Sequence, residues 1–155
     1  MEWARDLLRR TPNRTFVLYP AVVLGTKLIG GHGRAALSWG FAPLLAWGYL
    51  EYRLCGLYRR RLGRGGPGID LPPEDLVTSG PYAVVRNPMY LGHIIFLVGL
   101  ALFARSWFGA VIAAGTAWWF NQRVKEDERR LRDQFGQRYV EYQARVPRWI
   151  PRIFS

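Results

Sequence analysis

Four long apolar stretches, set apart by segments crowded with arginine, constrain this chain more than any other feature. They run from about Phe16 to Ile29, Ala35 to Leu57, Pro88 to Phe103 and Trp107 to Val124. A soluble domain interleaves polar and apolar residues within each helix or strand. Here the two kinds are segregated in blocks, so the mean hydropathy stays near zero, at -0.06, although 50% of residues are hydrophobic. The expected fold is all-α: a multi-pass membrane protein of about four transmembrane helices with a cytoplasmic cap built from the middle loop and the tail. The third and fourth blocks are short for a ~30 Å hydrocarbon layer, which calls for ~20 helical residues. Aromatic ends and snorkelling arginines can supply the remainder. For that pair alone, a buried helical hairpin is the alternative.

The formal net charge of +11 admits two readings. One is nucleic-acid binding through phosphate contacts. The other is a membrane protein whose basic segments face anionic headgroups. Basic residues interrupted by long apolar blocks fit the second. With four spans, 19 of the 22 basic residues fall on one side. The positive-inside rule then places both termini and the long middle segment in the cytoplasm, and a prokaryotic inner membrane is the expected location. No small-residue cleavage site follows the first apolar block, so no cleaved signal peptide is expected.

The chain reads as one membrane domain, residues 1–155. An amphipathic arm (1–14) places Trp3, Leu7 and Leu8 beside arginines. Helices one and two (15–57) follow, then a cytoplasmic loop (58–87), a helical hairpin (88–124) and a cytoplasmic tail (125–155). The loop's "GRGGPGIDLPPED" forbids a long helix. The tail continues as a polar helix to about Gln134, and the prolines of "VPRWIPR" make its end irregular. The single cysteine, Cys55, can form neither an intramolecular disulfide nor a CxxC site and reads as a buried thiol. His93 lies one turn into the third block. It either lines a site or makes a plain interhelical contact, and no second histidine stands at metal-ligand spacing.

Two stretches could carry chemistry. In "LVTSGPYAVVRNPMYLG", Gly80-Pro81 reads as a turn and Asn87-Pro88 as a helix start. That account leaves Arg86 unexplained, together with Tyr82 and Tyr90 on either side of the same corner. An arginine at a helix N-terminus is a natural seat for a carboxylate. In "KEDERRLRDQFGQRYVEYQARVPRW", Glu126 can pair with Arg130 and Glu128 with Arg132 on a solvated face. Alternatively, one carboxylate turns inward toward a cationic or hydroxyl-bearing ligand.

Taken together, the order is Gly-Pro-Tyr, then Arg-x-Pro-x-Tyr at a helix start, a helical hairpin, an acidic pair, Phe-Gly, two tyrosines three apart and Arg-Val-Pro. This order, over about Leu76 to Ile153, resembles the membrane methyltransferases grouped with isoprenylcysteine carboxyl methyltransferase and the phospholipid methyltransferases. The resemblance implies S-adenosylmethionine as cofactor, bound at the cytoplasmic membrane surface. It implies that Tyr82, Arg86, Asn87, Pro88 and Tyr90 form the pocket, with Gly92 allowing close approach. Asp127 and Glu128 match the family's paired acidic residues, and Glu128 and Arg145 are the implied catalytic pair. Many members have histidine where this chain has Asn87, so a role needing imidazole is not carried over. The implied reaction is methyl transfer to a lipid-like or small membrane-partitioning acceptor, whether carboxylate, amine or thiol, without metal or nucleic acid. An NADPH-dependent sterol-type reductase and a non-catalytic membrane scaffold are the rivals.

Overall fold

The computed structural model describes residues 10–29, 37–64 and 73–151. The arm residues Trp3, Leu7 and Leu8, and most of the Gly/Pro-rich part of the middle loop, lie outside them. Among the described residues the secondary structure is helical, with no strand. The described elements begin with α1 (Thr11–Asn13), a π-helical stretch (Arg14–Leu18) and α2 (Tyr19–Ile29). A 3-10 turn (Trp39–Phe41) leads into α3 (Ala42–Gly63). The short α4 (Pro81–Val84) precedes α5 (Pro88–Phe103), α6 (Trp107–Phe135) and α7 (Gln137–Arg145).

Apolar blocks mark helices here without marking their ends. The second block was expected over Ala35–Leu57, but α3 starts at Ala42 and runs to Gly63, through Arg59, Arg60 and Arg61. Arginine is a good helix former, so the helix outlasts its apolar part. The tail holds a helix, α7, that the apolar pattern did not announce. Its stripe is nevertheless helical: Tyr139 and Tyr142 are buried, as is Val146 just beyond its end.

Among the described residues no helix is long and apolar enough to cross a membrane. The reason is visible in each candidate. The 16 residues of α5 reach only ~24 Å at 1.5 Å per residue. The 29 residues of α6 turn charged from Arg123 onward, and the 22 residues of α3 from Glu51 onward.

The chain divides into two compact units. The first takes residues 1–50 and 92–118. Its core is Val23, Leu97, Leu100, Ala104 and Ala113, with Tyr19, Leu45 and Phe96 packed against it. Helices α3 and α5 touch backbone to backbone in this unit: a Cβ on Gly48 would stand 2.5 Å from the Phe96 nitrogen and 2.7 Å from the Gly92 carbonyl oxygen. Gly92 therefore belongs to a helix–helix contact here. His93 is fully buried in the same unit and stacks on Phe16, with ring centroids 4.8 Å apart. The turn between α5 and α6 puts Arg105 at φ 46°, and the Lys27 ammonium donates to the Arg105 carbonyl at 3.1 Å. Much of this unit's apolar surface is uncovered: Leu28, Ile29, Trp39 and Trp107 are each more than two-thirds exposed.

The second unit takes residues 51–91 and 119–155. Tyr139, Tyr142 and Val146 form its core with Leu76, Leu131 and Phe135. Gly80 is required where it stands. Its φ is 59°, and a Cβ there would lie 2.6 Å from the Tyr58 ring, a conformation and a contact that only glycine accepts.

Candidate active site

The second unit contains a cavity whose lining includes Tyr82, Arg86, Asn87, Tyr90, Asp127 and Glu128, with Tyr139 and Tyr142. Two chain segments some forty residues apart therefore meet in one place. Pro88 is fully buried at the first position of α5 and does not line the cavity. Gly92 and His93 lie in the first unit.

Helix α7 ends at Arg145 because Pro147 cannot continue the ladder, which leaves its last carbonyls without helical partners. Arg86 supplies them. Its Nη1 donates to the carbonyls of Gln143 at 2.9 Å and Val146 at 2.7 Å, and its backbone amide donates to the Pro147 carbonyl at 2.9 Å. A guanidinium at a helix C-terminus also complements the helix dipole. The other face of Arg86 grips Glu128: Nε and Nη2 donate to Oε1 at 3.2 and 2.9 Å.

Glu128 sits at the centre of this node, with its side chain only 5% exposed. Arg148 donates from Nε to Oε1 at 3.0 Å and from Nη2 to Oε2 at 2.7 Å, and Gln143 Nε2 adds a contact to Oε2 at 3.3 Å. Burial alone would raise the Glu128 pKa. The hydrogen bonds and charges of Arg148 and Arg86 outweigh it and hold the carboxyl below the usual carboxylate range. The same contact pushes Arg148 upward, mainly through its hydrogen bond to Glu128. A buried carboxylate is tolerated because two cations and an amide satisfy it.

Arg148, not Arg145, completes this site. The Arg145 side chain is exposed, with its Nε 3.4 Å from the Glu141 carbonyl, and it does not line the cavity. Sequence reasoning passed over Arg148 because it lies in the proline-punctuated end. The available signal was Pro147 itself, which stops α7 and frees carbonyls that a cation can cap. Gln143, Arg59 and Arg130 were passed over too; the last two line the cavity.

Asp127 is held differently. The Tyr90 hydroxyl donates to its Oδ2 at 2.6 Å, and Arg123 lies 3.5 Å from its Oδ1. Its side chain remains 21% exposed. The tyrosines brace the cavity: Tyr82 donates to the Cys55 carbonyl at 3.3 Å, and Tyr142 donates to the Tyr82 carbonyl at 2.6 Å. Burial raises the pKa of Tyr82, Tyr139 and Tyr142 well above the ordinary phenol value, so all three stay protonated. The Asn87 amide donates to the Arg148 carbonyl at 3.4 Å, tying the start of α5 to the same tail segment. Among the described residues, no group of three His, Cys, Asp or Glu side chains could hold a metal ion.

The pocket sets a polar, charged wall beside aromatic side chains, the mix of linings that small-molecule sites use. Comparison with known proteins adds a likeness over part of the chain. Residues 67–138 match the phospholipid methyltransferase family model. Over 77 residues the chain is 38% identical to protein-S-isoprenylcysteine O-methyltransferase B of Arabidopsis thaliana, covering 49% of this chain and 39% of that protein. The human protein-S-isoprenylcysteine O-methyltransferase is 39% identical over 79 residues, covering 50% of this chain and 28% of that protein. A cobalt-zinc-cadmium resistance protein of Cupriavidus metallidurans is 31% identical over 147 residues, covering 90% of this chain and 60% of that protein. Over residues 67–138 the chain is thus similar to the isoprenylcysteine and phospholipid methyltransferases. It spans only 28–39% of the length of these two isoprenylcysteine relatives.

Proposed function

We propose that this protein is an S-adenosylmethionine-dependent methyltransferase of a membrane, acting on a lipid-like or small membrane-partitioning acceptor. The observation that carries the reading is the cavity of the second unit. It gathers Arg86, Asn87, Tyr90, Asp127 and Glu128 inside the region that matches the methyltransferases.

The residues present suit the cofactor. When bound, S-adenosylmethionine supplies an already activated methyl group on a sulfonium sulfur, so the protein's task is orientation. Asp127 is the carboxylate able to reach a ligand, being partly exposed and aimed by Tyr90. It suits a ribose hydroxyl or an ammonium. Glu128 already accepts from two arginines and Gln143, so it acts by positioning the wall around it. The neutral tyrosines offer aromatic faces and hydroxyls without adding charge. A carboxylate or thiolate acceptor needs no base, whereas an amine must first lose a proton.

The membrane part of the proposal rests on the first unit and on charge. Exposed Leu28, Ile29, Trp39 and Trp107 are disfavoured in water and satisfied by lipid. If the four apolar blocks span, the one-sided distribution of basic residues puts both termini in the cytoplasm. Incubation with methyl-labelled cofactor and a bacterial lipid extract tests the function. Label should pass into an extractable product in the presence of the protein. Absence of transfer to lipid, protein and small-molecule fractions alike would overturn the reading.

A further inference from the structure

We propose that one face of α3 in the second unit binds the phosphate headgroups of anionic phospholipid through Arg53, Arg60 and Arg61, an assignment that rests on the membrane part of the proposed function. Successive helical positions turn by about 100°, so Arg53, Leu54, Leu57, Arg60 and Arg61 fall within an arc of about 120°. All five are exposed, Leu54 at 59% and Leu57 at 43%. Cys55, on the opposite side of the helix, is buried, and Arg59 is half-buried and lines the cavity. The one acidic residue of α3, Glu51, lies off the arc.

Charge and apolarity together select the occupant. Among the described residues no ion pair or hydrogen bond holds Arg53, Arg60 or Arg61, whereas Arg64, just past the helix, reaches Asp75 at 3.8 Å. Three cations with no acid on their face attract anions. A second copy of the same face would bring them none. A nucleic-acid backbone would supply phosphates but would set Leu54 and Leu57 against a polyanion. An anionic leaflet satisfies both kinds of side chain: phosphates meet the guanidinium groups, and the acyl boundary takes the leucines. A guanidinium also matches phosphate oxygens with paired N–H donors. Because Arg59 on the cavity wall is the neighbour of Arg60, such docking holds that wall at the layer from which a lipid-like acceptor arrives.

The test reconstitutes the full chain from detergent into vesicles of phosphatidylcholine with a minority of phosphatidylglycerol. A styrene–maleic acid polymer then excises the protein with its nearest lipids, which mass spectrometry counts. The retained lipid should be enriched in phosphatidylglycerol over the vesicle as a whole, each surface arginine favouring the anionic lipid by roughly fivefold. Molar salt should remove the enrichment. Arg53→Gln/Arg60→Gln/Arg61→Gln should return the ratio to that of the vesicle, and lysine at the same three positions should keep most of the enrichment. Glutamine is about as good a helix former as arginine, so α3 should persist; if the triple variant does not reconstitute, Arg53→Gln, Arg60→Gln and Arg61→Gln carry the test singly, each with a partial loss. A charge-matched control, Arg129→Gln/Arg138→Gln/Arg145→Gln, changes exposed residues of α6 and α7 and should stay as enriched as the parent. No enrichment in the parent, enrichment that survives molar salt or the glutamine variants, or an equal loss in the control would overturn the assignment. If the parent does not float with the vesicles at all, the membrane reading itself fails and the assignment falls with it.

Discussion

Replacing Glu128 by alanine should damage this protein through its fold before its chemistry. Glu128 receives two N–H groups from Arg86, two from Arg148 and one from Gln143, at 2.7–3.3 Å. Arg86 is only 10% exposed at the side chain, so the substitution leaves a buried guanidinium facing no anion. Removing one partner of a buried pair costs roughly 3–5 kcal/mol. At roughly 2–4 °C per kcal/mol for a chain of this size, the melting temperature should fall by about 6–20 °C. Glu128→Gln keeps the shape and one acceptor, so it should lie between parent and alanine variant. Arg145→Ala removes an exposed side chain and should stay within about 0.5 kcal/mol of the parent. Thermal unfolding in one detergent, followed by tryptophan fluorescence, compares all four proteins. A Glu128→Ala protein that melts within about a degree of the parent would refute the buried node, and so would an Arg145→Ala protein that melts as low as Glu128→Ala.

The depressed Glu128 pKa sets a pH dependence. A carboxylate whose folded pKa lies below its unfolded value, about 4.3, stabilises above that unfolded value and loses the contribution as pH falls through the folded one. The melting temperature of the parent, compared with Glu128→Gln, should therefore keep a constant advantage from neutral pH to about pH 5 and lose it in stronger acid. Tyr90→Phe deletes the hydroxyl that aims Asp127; calorimetry should show cofactor affinity reduced about fivefold, with stability changed by roughly 1 kcal/mol. Gly48→Ala forces a Cβ to 2.5 Å from the Phe96 backbone nitrogen, and denaturant titration should show a loss of about 1–3 kcal/mol.

The meeting of Arg86 and Glu128 was legible because two apolar blocks with a tight turn at Arg105 return the chain to its starting level. Their joint order with Tyr82, Tyr90 and Asp127 carried the family resemblance. Partner choice was not legible. A sequence shows that Arg86 and Glu128 are available to a ligand, but not that they take each other first. Arg148 was hidden for a related reason: its role depends on where α7 stops and where the tail turns back. The exposed side chain of Arg145 shows the opposite error, since an arginine matching a motif need not point at the site. Helix ends were obscured because apolarity reports what surrounds a helix. The backbone hydrogen bonds of α3 continue unbroken through Arg59, Arg60 and Arg61 to Gly63.

The cavity of the second unit is the proposed site for S-adenosylmethionine. Calorimetric titration of the purified full chain with S-adenosylmethionine, and separately with NADPH, tests it most directly. One saturable site is expected for S-adenosylmethionine, none for NADPH, and at least a tenfold weaker S-adenosylmethionine site in Asp127→Ala, from the lost charge-assisted contact. Saturable NADPH binding without S-adenosylmethionine binding, or S-adenosylmethionine binding indifferent to Asp127, would contradict it.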